Sequence, residues 1–196
     1  MKIQRRWKVL VPAGLGILLV VIIILVAANR GEGPSVSTLI GKLKDPDESV
    51  RAAAAKALGE RGGAAKEAVP ALGEALEDAN AKVRYQAVKA LSKIGAAEKS
   101  AVPALAALLK DSDRGVRYHA AKTLAKIGRE ATPALAALTK ALADRDPEIR
   151  YYVVKSLGHI GPDAQPAVPA LKEALRDADP QVRTMAASAL KKIGRS

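Results

Sequence analysis

Cysteine and phenylalanine are absent from this chain, aromatic residues make up 3% of it, and histidine occurs only twice. Without thiols there is no disulfide, no thiolate nucleophile, no Cys-ligated metal and no lipid-modified cysteine anchor. The compartment stays open, because a chain without thiols suits either redox environment. A Gly-rich phosphate loop and a nucleophile elbow are missing as well. These gaps leave little with which to build a catalytic centre, and the sequence reads as a non-enzymatic protein needing no cofactor and no metal. Any core must come from Ala, Leu, Val and Ile, within a hydrophobic set of 49%. Small aliphatic residues favour thin layers of packed helices over one thick core.

Charge is plentiful and uneven. The net charge is +12, and residues 1–30 hold five of the 32 basic residues (Lys2, Arg5, Arg6, Lys8 and Arg30) with no acid. Val9 to Ala28 is an uncharged, mostly aliphatic run of 20 residues. At ~1.5 Å per residue it spans about 30 Å as a helix, the thickness of a bilayer's hydrocarbon core. Pro12, Gly14 and Gly16 bend such a helix without forbidding it. Positive charge in front of the run keeps the N-terminus cytoplasmic and sends the remainder across the membrane. Residues 1–8 then form a basic cytoplasmic tail, 9–28 a transmembrane signal-anchor and 29–34 a linker. The competing reading is a signal peptide cleaved near Ala28, giving a secreted or periplasmic protein; the length of the apolar run favours the anchor.

The rest of the chain repeats. Arg51, Arg84, Arg117, Arg150 and Arg183 stand 33 residues apart, each after Val or Ile. Six residues earlier come Asp45, Asp78, Asp111, Asp144 and Asp177. Asp47, Asn80, Asp113, Asp146 and Asp179 follow two positions later, as short side chains suited to capping free helical N–H groups. Pro147 and Pro180 then sit at a first helical position. Gly62, Gly95, Gly128, Gly161 and Gly194 are placed to close a helix in the left-handed region. An Ala/Leu-rich first helix carries Leu39 and Leu43 in the first unit, with equivalents in each later one. Pro70, Pro103 and Pro169 lie near its start. In the fourth unit Pro133 comes early with Thr132 as its cap, which predicts a first helix of altered length. A period of this size signals stacked helical hairpins that share a continuous core.

The motif Asp-x-Asp-x-x-Val-Arg-x-x-Ala-x-x-Ala-Leu-x-x-Ile-Gly, clearest in Asp111 to Gly128, resembles the HEAT-repeat family, particularly short bacterial phycobilisome-lyase-like repeats. The resemblance covers residues 35–196. It implies an all-α, right-handed solenoid of five two-helix units, at about 35–62, 63–95, 96–128, 129–161 and 162–194, preceded by the transmembrane helix. It also implies an inter-unit ladder made by the five periodic Asp residues (Asp45 to Asp177) and the five Arg residues. Some HEAT-like proteins are iron-dependent hydroxylases with His-Glu pairs, and no such dipeptide occurs here. His119 and His159 fall on different units and about two helical turns out of step, too far apart to share a zinc ion. Each is read as facing solvent or a partner.

One set of variable columns stands out. Directly after the periodic Arg come Tyr85, Tyr118 and Tyr151; four positions on, on the same helical face, come Lys56, Lys89, Lys122 and Lys155. Four further on come Lys93 and Lys126. In HEAT arrays the second helices line the concave side, so the resemblance turns these residues into a basic, tyrosine-dotted strip. Such a strip suits a protein partner with an acidic segment, anionic headgroups or a phosphate backbone. The competing reading is an ordinary solvated face.

Three functions follow in order: a membrane-anchored, non-catalytic protein-interaction scaffold; a basic array binding nucleic acid, disfavoured by export; and a lyase-like tetrapyrrole chaperone, suggested by the family alone. Leu175, Val182, Leu190 and Ile193 lie at the last unit and are expected to be partly uncovered, making end-to-end self-association a further expectation. For the leader, the intact mass of the membrane-extracted chain should include residues 1–28, and a mature N-terminus at Asn29 would establish cleavage instead.

Overall fold

The computed structural model describes residues 33–95 and 99–194. The basic tail and the apolar segment 9–28 lie outside the described residues. Among the described residues no helix is long and apolar enough to cross a membrane.

Ten α-helices run in pairs through the described residues, and no strand occurs among them. The pairs are α1 Val36–Lys42 with α2 Glu48–Glu60, α3 Val69–Glu74 with α4 Ala81–Ile94, and α5 Val102–Leu108 with α6 Arg114–Ile127. They continue with α7 Leu135–Ala141 and α8 Pro147–Ile160, then α9 Val168–Ala174 and α10 Pro180–Ile193. The first helix of each pair has six or seven residues and the second 13 or 14. Seven-residue 3-10 segments, Gly62–Ala68, Gly128–Ala134 and Gly161–Ala167, lead into α3, α7 and α9.

The fourth unit corrects one expectation. Its first helix, α7, has the same seven residues as α5 and α9. Pro133 lies in the preceding 3-10 segment, where its missing N–H does not interrupt an α-helix. Thr132 does not cap; its hydroxyl donates to the Arg129 carbonyl at 2.7 Å.

Each long helix starts for the same reason. Asp47, Asn80, Asp113, Asp146 and Asp179 hold extended backbone and accept from helical N–H groups at 2.8–2.9 Å. Such a cap contributes about 1 kcal/mol. Gly62, Gly95, Gly128 and Gly161 follow the first four long helices at φ of 53 to 75°, a region costly for any residue with a Cβ. Gly194 departs from this series with φ −85°, so α10 ends without the left-handed turn.

The core is one aliphatic layer between the first and second helices. Leu72, Leu105, Leu138 and Leu171 from the short helices and Leu58, Leu91, Leu124 and Leu157 from the long ones are wholly buried. Each such side chain contributes about 1.5–3 kcal/mol. Long helices approach each other where side chains are smallest. A Cβ on Gly59 would come within 2.8 Å of Ala90 Cα, and one on Gly158 within 3.0 Å of Ala189 Cα. Between the short helices α5 and α7 opens a groove of about 730 Å³, lined by six alanines, Leu109 and six charged residues.

Between units the periodic residues interlock. Arg51 Nε donates to Asp78 at 2.6 Å, Arg84 to Asp111 at 2.7 Å, Arg117 to Asp144 at 2.8 Å and Arg150 to Asp177 at 2.7 Å. Each guanidinium also donates through Nη1 into its own unit, as Arg117 does to the Asp111 carbonyl at 2.9 Å. Each carboxylate meanwhile accepts the N–H two residues on, as Asp111 does from Asp113 at 2.9 Å. One side chain therefore folds a loop and receives the neighbouring unit. Hydrogen bonds from Arg51 and Arg150 hold the Asp78 and Asp177 carboxyls below the usual carboxylate range. Burial opposes ionisation of Asp111, yet Arg84 and the Asp113 N–H still leave its carboxyl lowered.

The last unit is covered better than its sequence implies. Val182 and Ile193 are buried at 1% and 0% exposure, because they face inward from α10; Leu190 is half-buried and Leu175 is 40% exposed. On the outward face of α10 the exposed Lys191 occupies the column of Gly59, Ser92, Ala125 and Gly158. A second array could approach that face as closely as α4 approaches α2 only by displacing the Lys191 side chain.

The rungs give a graded test. The Arg117–Asp144 pair is 8% exposed on both sides, so Arg117→Ala strands a buried carboxylate and should cost about 3–5 kcal/mol. Arg183 makes only hydrogen bonds to its own unit, and Arg183→Ala should cost about 1 kcal/mol. Urea denaturation of the two variants checks the difference. The lowered Asp78, Asp111 and Asp177 carboxyls stabilise the fold above the ordinary carboxylate pKa, and that contribution disappears as pH falls through their folded values.

Candidate functional site

The long helices α4, α6 and α8 carry a continuous row of rings. Tyr85 of α4 meets His119 of α6 edge-to-face at 5.2 Å between centroids, and His119 meets Tyr118 at 5.1 Å. Tyr118 then meets Tyr152 of α8 at 5.3 Å, and Tyr152 meets Tyr151 at 5.2 Å. All four contacts are T-shaped, the geometry that sets one ring's positive edge against the next ring's negative face. Gly115 makes room at the start of α6, since a Cβ there would sit 2.9 Å from Tyr85 Cε2.

Lysines lie over this row. Lys89 Nζ stands 5.4 Å from the Tyr85 centroid, and Lys155 Nζ 5.8 Å from that of Tyr152. Lys122 Nζ stands between Tyr118 at 5.3 Å and Tyr152 at 5.5 Å. Cation–π contacts of this kind contribute about 0.5–1 kcal/mol each at exposed sites. The Tyr118 hydroxyl accepts a hydrogen bond from Lys122 at 3.3 Å and holds that ammonium above the usual lysine range. Burial pushes the Tyr152 phenol up, with Tyr118 beside it acting in the same direction. The row is thus three half-buried lysines seated on tyrosine rings.

The six residues Tyr85, Tyr118, Tyr151, Lys89, Lys122 and Lys155 come together here. Three other lysines of the sequence strip do not join them. Lys56 is exposed and pairs with Glu60 at 3.8 Å. Lys93 is exposed on the last turn of α4. Lys126 donates to the Ser92 carbonyl at 3.0 Å, tying α6 to the end of α4.

Two members of the row, Tyr152 and His119, were not in the strip read from sequence. Of the two placements expected for it, facing solvent or a partner, His119 does not take the first: it is half-buried between two tyrosine rings. Burial, with Lys122, Lys89 and Lys126 nearby, lowers its pKa to about 4, and its Nδ1 has no hydrogen-bond partner. His159 is exposed, with Nδ1 2.7 Å from the Ala125 carbonyl, which it meets as a donor. Among the described residues no group of three or more His, Asp or Glu side chains is placed to hold a metal ion.

The family model for HEAT repeats matches residues 22–79, 36–101, 69–144 and 135–196. The chain belongs to the HEAT-repeat family. Among solved structures it is similar to the CpcE–CpcF complex of phycocyanin lyase from Nostoc sp. PCC7120, with 29% identity and a TM-score of 0.67 over 85% of this chain and 68% of that one. An engineered protein matches at 25% identity and a TM-score of 0.67, over 82% of this chain and 80% of that chain. A designed armadillo repeat protein in complex with the peptide (KR)4 shares the fold at 22% identity and a TM-score of 0.70, covering 81% and 82%. No curated protein matches the sequence. This HEAT array is an all-helical repeat scaffold of a kind suited to binding proteins.

The state of His119 can be read directly. Its imidazole resonances should titrate with a midpoint of about 4 by NMR. A histidine whose pKa is lowered on folding stabilises fully above about 6.5 and loses that contribution as pH falls through about 4. His119→Gln, which places the residue found at Gln86 one unit earlier, should remove that part of the acid sensitivity.

Proposed function

We propose that this protein is a membrane-anchored, non-catalytic scaffold that receives an acidic segment of a protein partner along the concave side of its array. Tyr85, Tyr118, Tyr151 and Tyr152 supply the contact area, and Lys89, Lys122 and Lys155 supply the charge. The observation that carries this reading is the unbroken edge-to-face row across three units with an ammonium over its rings. A merely solvated lysine face needs no aromatic floor, and its side chains would extend into water. Close approach of long helices at Gly59 and Gly158, and a groove between the short helices α5 and α7, support placing the long helices on the inner side.

The anchor rests on the apolar run 9–28 and the positive charges in front of it. The array is then outside the cytoplasm, following the anchor after residues 29–34. That placement favours a protein partner over nucleic acid. The armadillo array noted above is in complex with the basic peptide (KR)4; here the cationic row inverts the sign of the preferred ligand. A second reading, a subunit that handles a tetrapyrrole, draws on the similarity to the CpcE–CpcF complex, and absorbance of a bound pigment would favour it.

Polyglutamate titrated into the full-length protein should bind with an affinity that falls as salt rises. Replacing Lys89, Lys122 and Lys155 by Glu should weaken it by about 30-fold or more while leaving helicity unchanged. Unchanged affinity in that variant would reduce the row to surface. Duplex DNA binding that the same variant abolishes would move the assignment to nucleic acid.

A further inference from the structure

Resting on that reading, we infer that the segment taken by this face is a polyproline II helix with an acidic residue at every third position. The three row lysines occupy equivalent places on α4, α6 and α8, so they recur once per unit. Packed helices lie about 8–10 Å apart. Small side chains stand at the equivalent positions between the helices of the row, Ser92 and Thr123 for α4 and α6 and Ala125 and Ser156 for α6 and α8, as Gly59 and Ala90 or Gly158 and Ala189 do in the flanking pairs.

An extended ligand must place its carboxylates at that step. A polyproline II helix has three residues per turn and rises about 3.1 Å per residue, so every third side chain returns to one face after about 9 Å. A β-strand presents same-face side chains at about 7 Å and then 13 Å, and neither value fits. An α-helix returns to nearly the same face after seven residues and about 10.5 Å, but it is about 10–12 Å wide and needs a groove to lie in.

The rings decide between the two conformations that fit. Between successive lysines the ligand meets tyrosine faces and edges, and two consecutive prolines offer flat apolar rings there. Aromatic rows recognise the polyproline conformation because it is already formed before binding. Its backbone carbonyls carry no internal hydrogen bonds, so they remain open to tyrosine hydroxyls.

The test titrates the full-length protein with four probes: acetylated (Glu-Pro-Pro)4, the composition-matched (Glu-Glu-Pro-Pro-Pro-Pro)2, an alanine-based helical peptide with Glu every seventh residue, and polyglutamate. Tyrosine fluorescence and calorimetry read the affinities. The periodic peptide should bind about tenfold tighter than its permuted partner, and Lys122→Glu should erase that preference. Equal affinity for the two proline peptides overturns the three-residue register while leaving the acidic-segment reading intact. Tightest binding by the helical peptide, or binding by polyglutamate alone, overturns the polyproline conformation. If none of the four binds, the row is not a docking face, and the reading beneath this inference falls with it.

Discussion

Each unit of this array is fastened to the next by a guanidinium held between two loops. The fork of Arg84 donates to the Asp111 carboxylate of the following unit through Nε and Nη2, at 2.7 and 2.9 Å, while Nη1 holds the Asp78 carbonyl of its own. Asp111 in turn closes the turn that caps α6. Because the fork is planar and its partners are backbone and carboxylate, rotation of one unit against the next breaks several charge-assisted bonds together. The rungs thereby fix the angle at which successive long helices meet. Tyr85, Tyr118 and Tyr151 each directly follow a rung arginine. A lock on the arginine is a lock on the ring beside it, and the aromatic row inherits its alignment from the ladder.

The period of 33, the caps and the lysine and tyrosine columns could be read from residue order, and the rungs followed from the resemblance to HEAT repeats. Tyr152 and His119 could not, for a geometric reason. Aligning units by their period pairs Tyr85 with Tyr118, yet the rings that touch across units are Tyr85 with His119 and Tyr118 with Tyr152. The same extra residue separates Lys126 from Ser92 and His159 from Ala125. Side chains on a helix lean toward its N-terminus, so a spot on a neighbouring helix is reached from about one position further along. On this face the contact register is the repeat length plus one, whereas Gly59 meets Ala90 and Gly158 meets Ala189 at the repeat length minus two. The buried state of Val182 and Ile193 was hidden for a related reason: the last unit's inward face is covered by α8 and α9, whatever lies beyond α10. The uniform seven-residue helix in the fourth unit was hidden by Pro133, which marks a 3-10 lead-in instead of a helix start.

Electrostatics inside the row has a consistent logic. A protonated imidazole at His119 would sit among Lys89, Lys122 and Lys126 in a half-buried place, and both burial and repulsion oppose it. Kept neutral, the ring serves as an edge-to-face link between Tyr85 and Tyr118. The lysines gain from the ring faces and, at Lys122, from a hydroxyl oxygen. The face thus keeps its positive charge on fixed side chains near neutral pH and has no titrating switch at its centre. Side chains already ordered by stacking lose less freedom when a ligand arrives, which raises affinity for a given set of contacts.

The flanking units set the length of the row. In the first unit the tyrosine column holds Ala52 and the next holds Ala53, so no ring supports Lys56, and its ammonium turns to Glu60. In the fifth unit the equivalent positions are Thr184, Met185 and Ser188. The row therefore begins at α4 and ends at α8, with three ring-supported cations among the described residues. The outer units contribute rungs and core to the helices they flank: Arg51 seats Asp78 below α4, and Asp177 seats Arg150 above α8. Every helix of the row therefore has a rung and a packed neighbour on both sides.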